Sequence, residues 1–189
     1  MNRTGKMKKK LAVILPGIGY HKDKPLLYYG TKLVTQLGYE VKHISYENMP
    51  EKIQGDESMM RRAAEIAYEQ TKEQLATVGF SDYEEVLFIG KSIGTIAQAK
   101  YVEEHKIKAK QIWYTPLEAT FSFDSKNVLA FIGQSDPWSD LSVMKEKVSK
   151  MEVTLYQYPG CNHSLESEDV EQNIFVLQDV MARTKAFCL

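Results

Sequence analysis

The 189-residue sequence has only two cysteines, Cys161 and Cys188. Two cysteines without metal-type spacing fit a reduced, cytoplasmic protein better than a disulfide scaffold. No segment approaches the roughly 20 consecutive apolar residues of a membrane helix. Excess charge is missing too: the net charge is −1, and no basic stripe with interleaved aromatics offers a surface for nucleic acid. Repeats, low-complexity tracts and interdomain linkers are absent, so residues 1–189 read as one domain, with 1–9 as a ragged start. Lys8-Lys9-Lys10 followed by LAVILPG imitates the start of a secretory signal. The apolar run is short, Pro16 ends it and no small-x-small cleavage site follows, so it reads as a buried strand.

Short apolar runs alternate with helical patterns from end to end. LAVILPG (11–17), VKHISYE (41–47), EVLFIGK (85–91), QIWYTPL (111–117), NVLAFIG (127–133) and VTLYQYP (153–159) predict six strands. Several are near-continuously apolar, as strands covered on both faces must be. Between them, helices are predicted from Pro25 to Gly38, from Met60 to Gly79, from Ile93 to about His105 and from Val143 to Met151. A last helix starts near Ser167, with Val170, Ile174, Leu177 and Met181 as its apolar stripe. Strict alternation implies an α/β fold of three layers: about six mainly parallel strands, helices on both faces, and ligands bound at the carboxyl ends of the strands. Residues 47–55 read as a surface loop.

The third strand runs into Gly90-Lys91-Ser92-Ile93-Gly94, which admits two readings. A phosphate-binding loop ends in Gly-Lys-Ser, but it needs a glycine where Glu85 stands and an open loop where VLFI is a strand. The other reading is a nucleophile elbow, which needs a strand, a sharp turn carrying serine and a helix directly after. Close packing at such a turn requires glycine two residues before and two after. EVLFIG-KSI-GTIAQAK supplies all of this.

A serine hydroxyl attacks only when a base takes its proton, and the base needs an acid to orient it. In an elbow hydrolase the acid and then the histidine follow the serine in the chain. His21 and His43 precede Ser92, and His105 lies at the charged end of the following helix. His163, on the loop after the sixth strand, remains. Among the intervening acids Asp136 directly follows the strand NVLAFIG, in the turn GQSDPW; Asp140 is the fallback.

GKSIG, FIGQSDPW and GCNHSLE, in this order and spacing, resemble the α/β-hydrolase superfamily over nearly the whole chain. The resemblance implies a serine hydrolase acting on a small ester, thioester or related acyl bond through Ser92, His163 and Asp136. It requires no cofactor or metal. It also implies an oxyanion hole from the N–H groups of Ile93 and of Ile18, in the loop PGIGYHKDKP, where Pro16-Gly17 replaces the usual His-Gly. Read simply as a tight turn, Gly17 and Gly19 carry no such role. Only about nine residues (118–126) stand where larger relatives insert a lid, so the resemblance implies an open site without a cap domain. Tyr20, Leu117 and Trp138, with Thr115, Pro116 and Phe121, are candidates for its substrate-binding rim, or else for core. Lys91 either attracts an anionic group or is solvated. The expected partner is a small acyl substrate, with no nucleic acid and no membrane, and nothing sets an oligomeric state. Acyl transfer on the same triad, or a non-catalytic protein that holds a small ligand on this scaffold, are the alternatives.

Overall fold

In the computed structural model, which describes residues 9–189, six parallel strands form one sheet in the order β2-β1-β3-β4-β5-β6. The strands are β1 (Lys10–Leu15), β2 (Tyr39–His43), β3 (Glu85–Lys91), β4 (Lys110–Tyr114), β5 (Val128–Gly133) and β6 (Val153–Tyr158). The helices are α1 (Pro25–Gln36), α2 (Glu57–Leu75), α3 (Ile93–Glu104), α4 (Leu141–Val148) and α5 (Val170–Cys188). Nearly all of the ragged start expected for 1–9 lies outside the described residues. The chain moves outward from β1 to β2, then crosses to β3 on the other side of β1. In an open parallel sheet such a reversal leaves a crevice at the carboxyl ends of the two strands, here β1 and β3.

Alternate strand residues feed two cores. Ala12, Ile14, Leu87, Ile89, Tyr114 and Phe131 pack under α1 and α5, against Leu26, Leu27, Val34, Val176 and Val180. Leu11, Val13, Leu15 and Phe88 face the opposite way, against Ala63, Ala67 and Leu75 of α2 and Ile96 and Ala97 of α3. Met144 of α4 covers Val128, Ala130 and Ile132 on that same side. The sheet is therefore sandwiched between α1 and α5 on one face and α2, α3 and α4 on the other. Between β4 and β5 there is only a single short 3₁₀ turn, Glu118–Ser122, and no cap domain.

Two elements depart from expectation. The second strand lies earlier, at Tyr39–His43, and the chain leaves the sheet before residues 45–47. Ser45 and Glu47 satisfy their backbone on α2 instead. Gln74 accepts from the Ser45 N–H and donates to its carbonyl, and Gln70 does the same for Glu47. Two side-chain amides thus take the place of a neighbouring strand. On α5 the buried stripe is Val176, Val180, Thr184 and Cys188, while Val170 and Ile174 are exposed. The expected stripe placed its first two members on the solvent side. Among the described residues no helix is long and apolar enough to cross a membrane.

Candidate active site

Ser92 sits between β3 and α3 with φ 54° and ψ −120°, a backbone conformation that costs energy for any residue but glycine. Its N–H donates to the Tyr114 carbonyl of β4, and Thr95 donates back to the Ser92 carbonyl at 2.7 Å. Thr95 is tied in turn to Thr120 of the 3₁₀ turn, also at 2.7 Å. These bonds hold the strained turn in place. The flanking glycines are dictated by space: a Cβ on Gly94 would lie 2.5 Å from the Pro16 carbonyl oxygen, and one on Gly90 3.0 Å from Gly94.

Above this turn three side chains meet. His163 Nε2 lies 2.7 Å from Ser92 Oγ, and His163 Nδ1 lies 2.7 Å from Asp136 Oδ2. A carboxylate only accepts, so Nδ1–H donates to Asp136 and Nε2 is left to accept the serine proton. The Asp136 side chain is fully enclosed, and its other oxygen accepts from the Trp138 N–H at 2.9 Å. The Trp138 ring lies beside the imidazole, with centroids 5.5 Å apart. Burial, the largest influence, pushes His163 below the ordinary histidine value. The Asp136 hydrogen bond opposes it, and the Lys91 charge adds to it.

Asp140, the fallback acid, is elsewhere. It caps α4, accepting from the N–H groups of Ser142 and Val143 at 2.8 and 3.2 Å.

The loop that carries His163 is held against the end of β5. A Cβ on Gly133 would meet the carbonyl oxygens of Cys161 and Asn162, the latter at 2.5 Å. Both are backbone atoms and cannot swing away. Gly133→Ala is therefore expected to destabilise the fold by about 1–3 kcal/mol through overpacking. By displacing His163 it should also lower any activity by about 10²-fold. Thermal unfolding and ester turnover measured together check this; an unchanged melting temperature would mean that the loop yields at no cost.

Ile18 and Ile93 flank Ser92. Ile93 opens α3, so its N–H has no partner within the helix. Gly17 and Tyr20 pair their backbones, leaving Ile18 at the exposed tip of the turn. The turn abuts the elbow so closely that a Cβ on Gly17 would sit 3.2 Å from Ser92 Cβ.

Ser92 and His163 open onto a cleft of about 340 Å³, lined also by Ile18, Ile93, Leu117 and Trp138. Of the other rim candidates, Tyr20 is turned inward. It is 7% exposed, its ring packs in the core and its hydroxyl accepts from the Leu26 N–H. Thr115, Pro116 and Phe121 are buried as well; Phe121 meets Trp113 edge-on. The opposite wall was not anticipated: Met49, Ile53 and Met60 line it, from the 47–55 loop and the start of α2. An apolar Met-Pro and an isolated Ile between polar residues were its only signal in the sequence.

Lys91 is not solvated, as one expectation had it, but 1% exposed. Its ammonium lies 4.8 Å from the centroid of the Tyr20 ring. Burial lowers its pKa to about 7 against the opposing pull of Asp136 and Glu166. Among the described residues no three His, Cys, Asp or Glu side chains gather where they could hold a metal.

No family model and no curated protein matches the chain. Solved structures do match it. A serine hydrolase homologue from Coxiella burnetii superposes with a TM-score of 0.66 at 15% identity, over 93% of this chain and 84% of the other. An esterase from Pyrococcus furiosus gives 0.66 at 12% identity, over 96% and 82%. A serine hydrolase without a lid from Xanthomonas campestris gives 0.63 at 12%, over 98% and 84%. The chain has the α/β-hydrolase fold in its form without a lid.

Proposed function

We propose that the protein is a serine hydrolase that cleaves small esters, thioesters or related acyl bonds. The observation that carries this reading is the unbroken hydrogen-bonded line Ser92–His163–Asp136 at the mouth of an open cleft. Ser92 Oγ attacks the acyl carbon while His163 Nε2 takes its proton. The N–H groups of Ile18 and Ile93 hold the oxyanion, and Asp136 stabilises the imidazolium. The imidazolium then gives its proton to the departing alkoxide or thiolate. Water, deprotonated by the same imidazole, releases the acid and restores Ser92. Fluorophosphonate labelling of the intact protein tests the reading, and an unlabelled wild type would sink it.

Met49, Ile53, Met60, Ile93, Leu117 and Trp138 offer apolar surface for the acyl group. The cleft is too small and open to wrap a long chain. Each buried methylene contributes about 0.8 kcal/mol, close to fourfold in kcat/KM, and an exposed one almost nothing. Activity on p-nitrophenyl esters is therefore expected to peak at about two to six acyl carbons. No jump in rate is expected above the substrate's solubility limit. Preference for long chains with such a jump would mean that the 47–55 segment closes as a lid.

A further inference from the structure

The cleft beside Ser92 is not the last space along its far wall. Behind Met60 lies a second hollow of about 350 Å³, between α2, α3 and the 3₁₀ turn Glu118–Ser122. Met60 lines both spaces, so its side chain is the partition between them. The other walls continue past that partition. On α3, Ile93 lines the cleft while Ile96 and Lys100 line the hollow, and residues three and seven apart share one helix face. On α2, Ala64 follows Met60 by one turn and lines the hollow. After β4, Leu117 belongs to the cleft and Ala119, two residues on, to the hollow. At 1.5 Å per residue, the path along α3 from Ile93 to Lys100 is about 10 Å long.

The chemistry of the hollow decides what could enter it. Ala64, Ile96 and Phe123 present only carbon side chains, and Ile96 is buried. The cations at its rim already have partners: Arg61 pairs with Glu57 at 3.0 Å, and Lys100 with Glu104 at 3.8 Å. An anionic head group therefore gains little there, whereas an uncharged hydrocarbon tail would leave water. We propose that Met60 is the specificity-determining residue of this site: its side chain stops the acyl chain at the boundary between cleft and hollow, and so confines the substrates to short acyl groups. The inference rests on the hydrolase reading, which places the acyl group in the cleft that holds Ser92.

Alanine at this position should join the two spaces and leave the helix intact, since Met60 is only partly buried and alanine is the best helix former. Each further methylene then buried is worth about fourfold in kcat/KM. The ratio of kcat/KM for p-nitrophenyl octanoate to that for p-nitrophenyl butanoate is expected to rise about 10–100-fold in Met60→Ala. Filling the hollow should cancel the gain. Met60→Ala combined with Ala64→Phe is expected to return the ratio to the wild-type value, and Ala119→Phe takes the place of Ala64→Phe should that variant not fold. A merely structural methionine would change both esters alike, so an unchanged ratio overturns the inference. A gain that survives the filling overturns it as well, because it would come from a wider cleft alone. Decanoate binding, followed by NMR at the Ala64 and Ala119 amides, needs no turnover. Shifts of these amides in Met60→Ala but not in wild type, in a protein that resists fluorophosphonate, uphold the inference while the hydrolase reading falls. Labelling with an unchanged ratio does the reverse.

Discussion

Ser92→Ala is expected to lower kcat on an activated ester by up to about 10⁶-fold and to abolish fluorophosphonate labelling. The size follows from what alanine removes. Without Oγ there is no covalent intermediate, and His163 has no proton to take. What remains is a cleft with two N–H donors, worth about 10³–10⁴ over the reaction in water. The fold should survive, because the hydroxyl contributes only the bond to His163 Nε2. Its backbone bonds, from Ser92 N–H to Tyr114 and from Thr95 to the Ser92 carbonyl, do not depend on the side chain. Alanine at φ 54° is no more strained than serine. A variant with wild-type melting and no labelling is thus the expected outcome. Equal labelling of both proteins would place the reactive group elsewhere and undo the assignment.

What the sequence made legible is what local chemistry dictates. The strand EVLFIGK and the helix from Ile93 lie where periodicity put them, because a buried parallel strand and a short strand-to-helix turn leave little choice of residues. The meeting of Ser92, Asp136 and His163 was approachable because all three lie just past strand ends, and parallel strands deliver such residues to one edge. Three features depended on contacts with no local signature. Residues 45–47 carry strand-like composition but pair with Gln70 and Gln74, and nothing in one sequence links a strand to two glutamines of a later helix. Tyr20 was indistinguishable from a rim aromatic until the Leu26 N–H and the core claimed it. Lys91 was read as attracting an anionic group or as solvated, and it is buried. Its burial depends on a ring, two carboxylates and a sheet face contributed by segments up to about 75 residues away in the chain.

Asp136→Asn is expected to lower kcat by about 10³–10⁴-fold, and Asp140→Asn to leave it nearly unchanged. Both carboxylates lie in the segment that joins β5 to α4, four residues apart, yet their surroundings differ entirely. Asp136 is enclosed, with one oxygen on His163 Nδ1 and the other on the Trp138 N–H. An amide keeps the shape and one acceptor, but it cannot balance an imidazolium. If its NH₂ faces the ring, it also forces the proton onto Nε2, where it blocks uptake from Ser92. The loss should therefore appear in kcat more than in KM, with folding retained. Asp140 is exposed and accepts only from Ser142 and Val143 at the first turn of α4. Asparagine caps a helix about as well as aspartate, so stability should change by no more than a few tenths of a kcal/mol. Turnover of a short-chain ester by the two variants at equal protein concentration decides the matter. Should Asp140→Asn prove the more damaging change, the 2.7 Å contact between Asp136 and His163 would not be the one that orients the base.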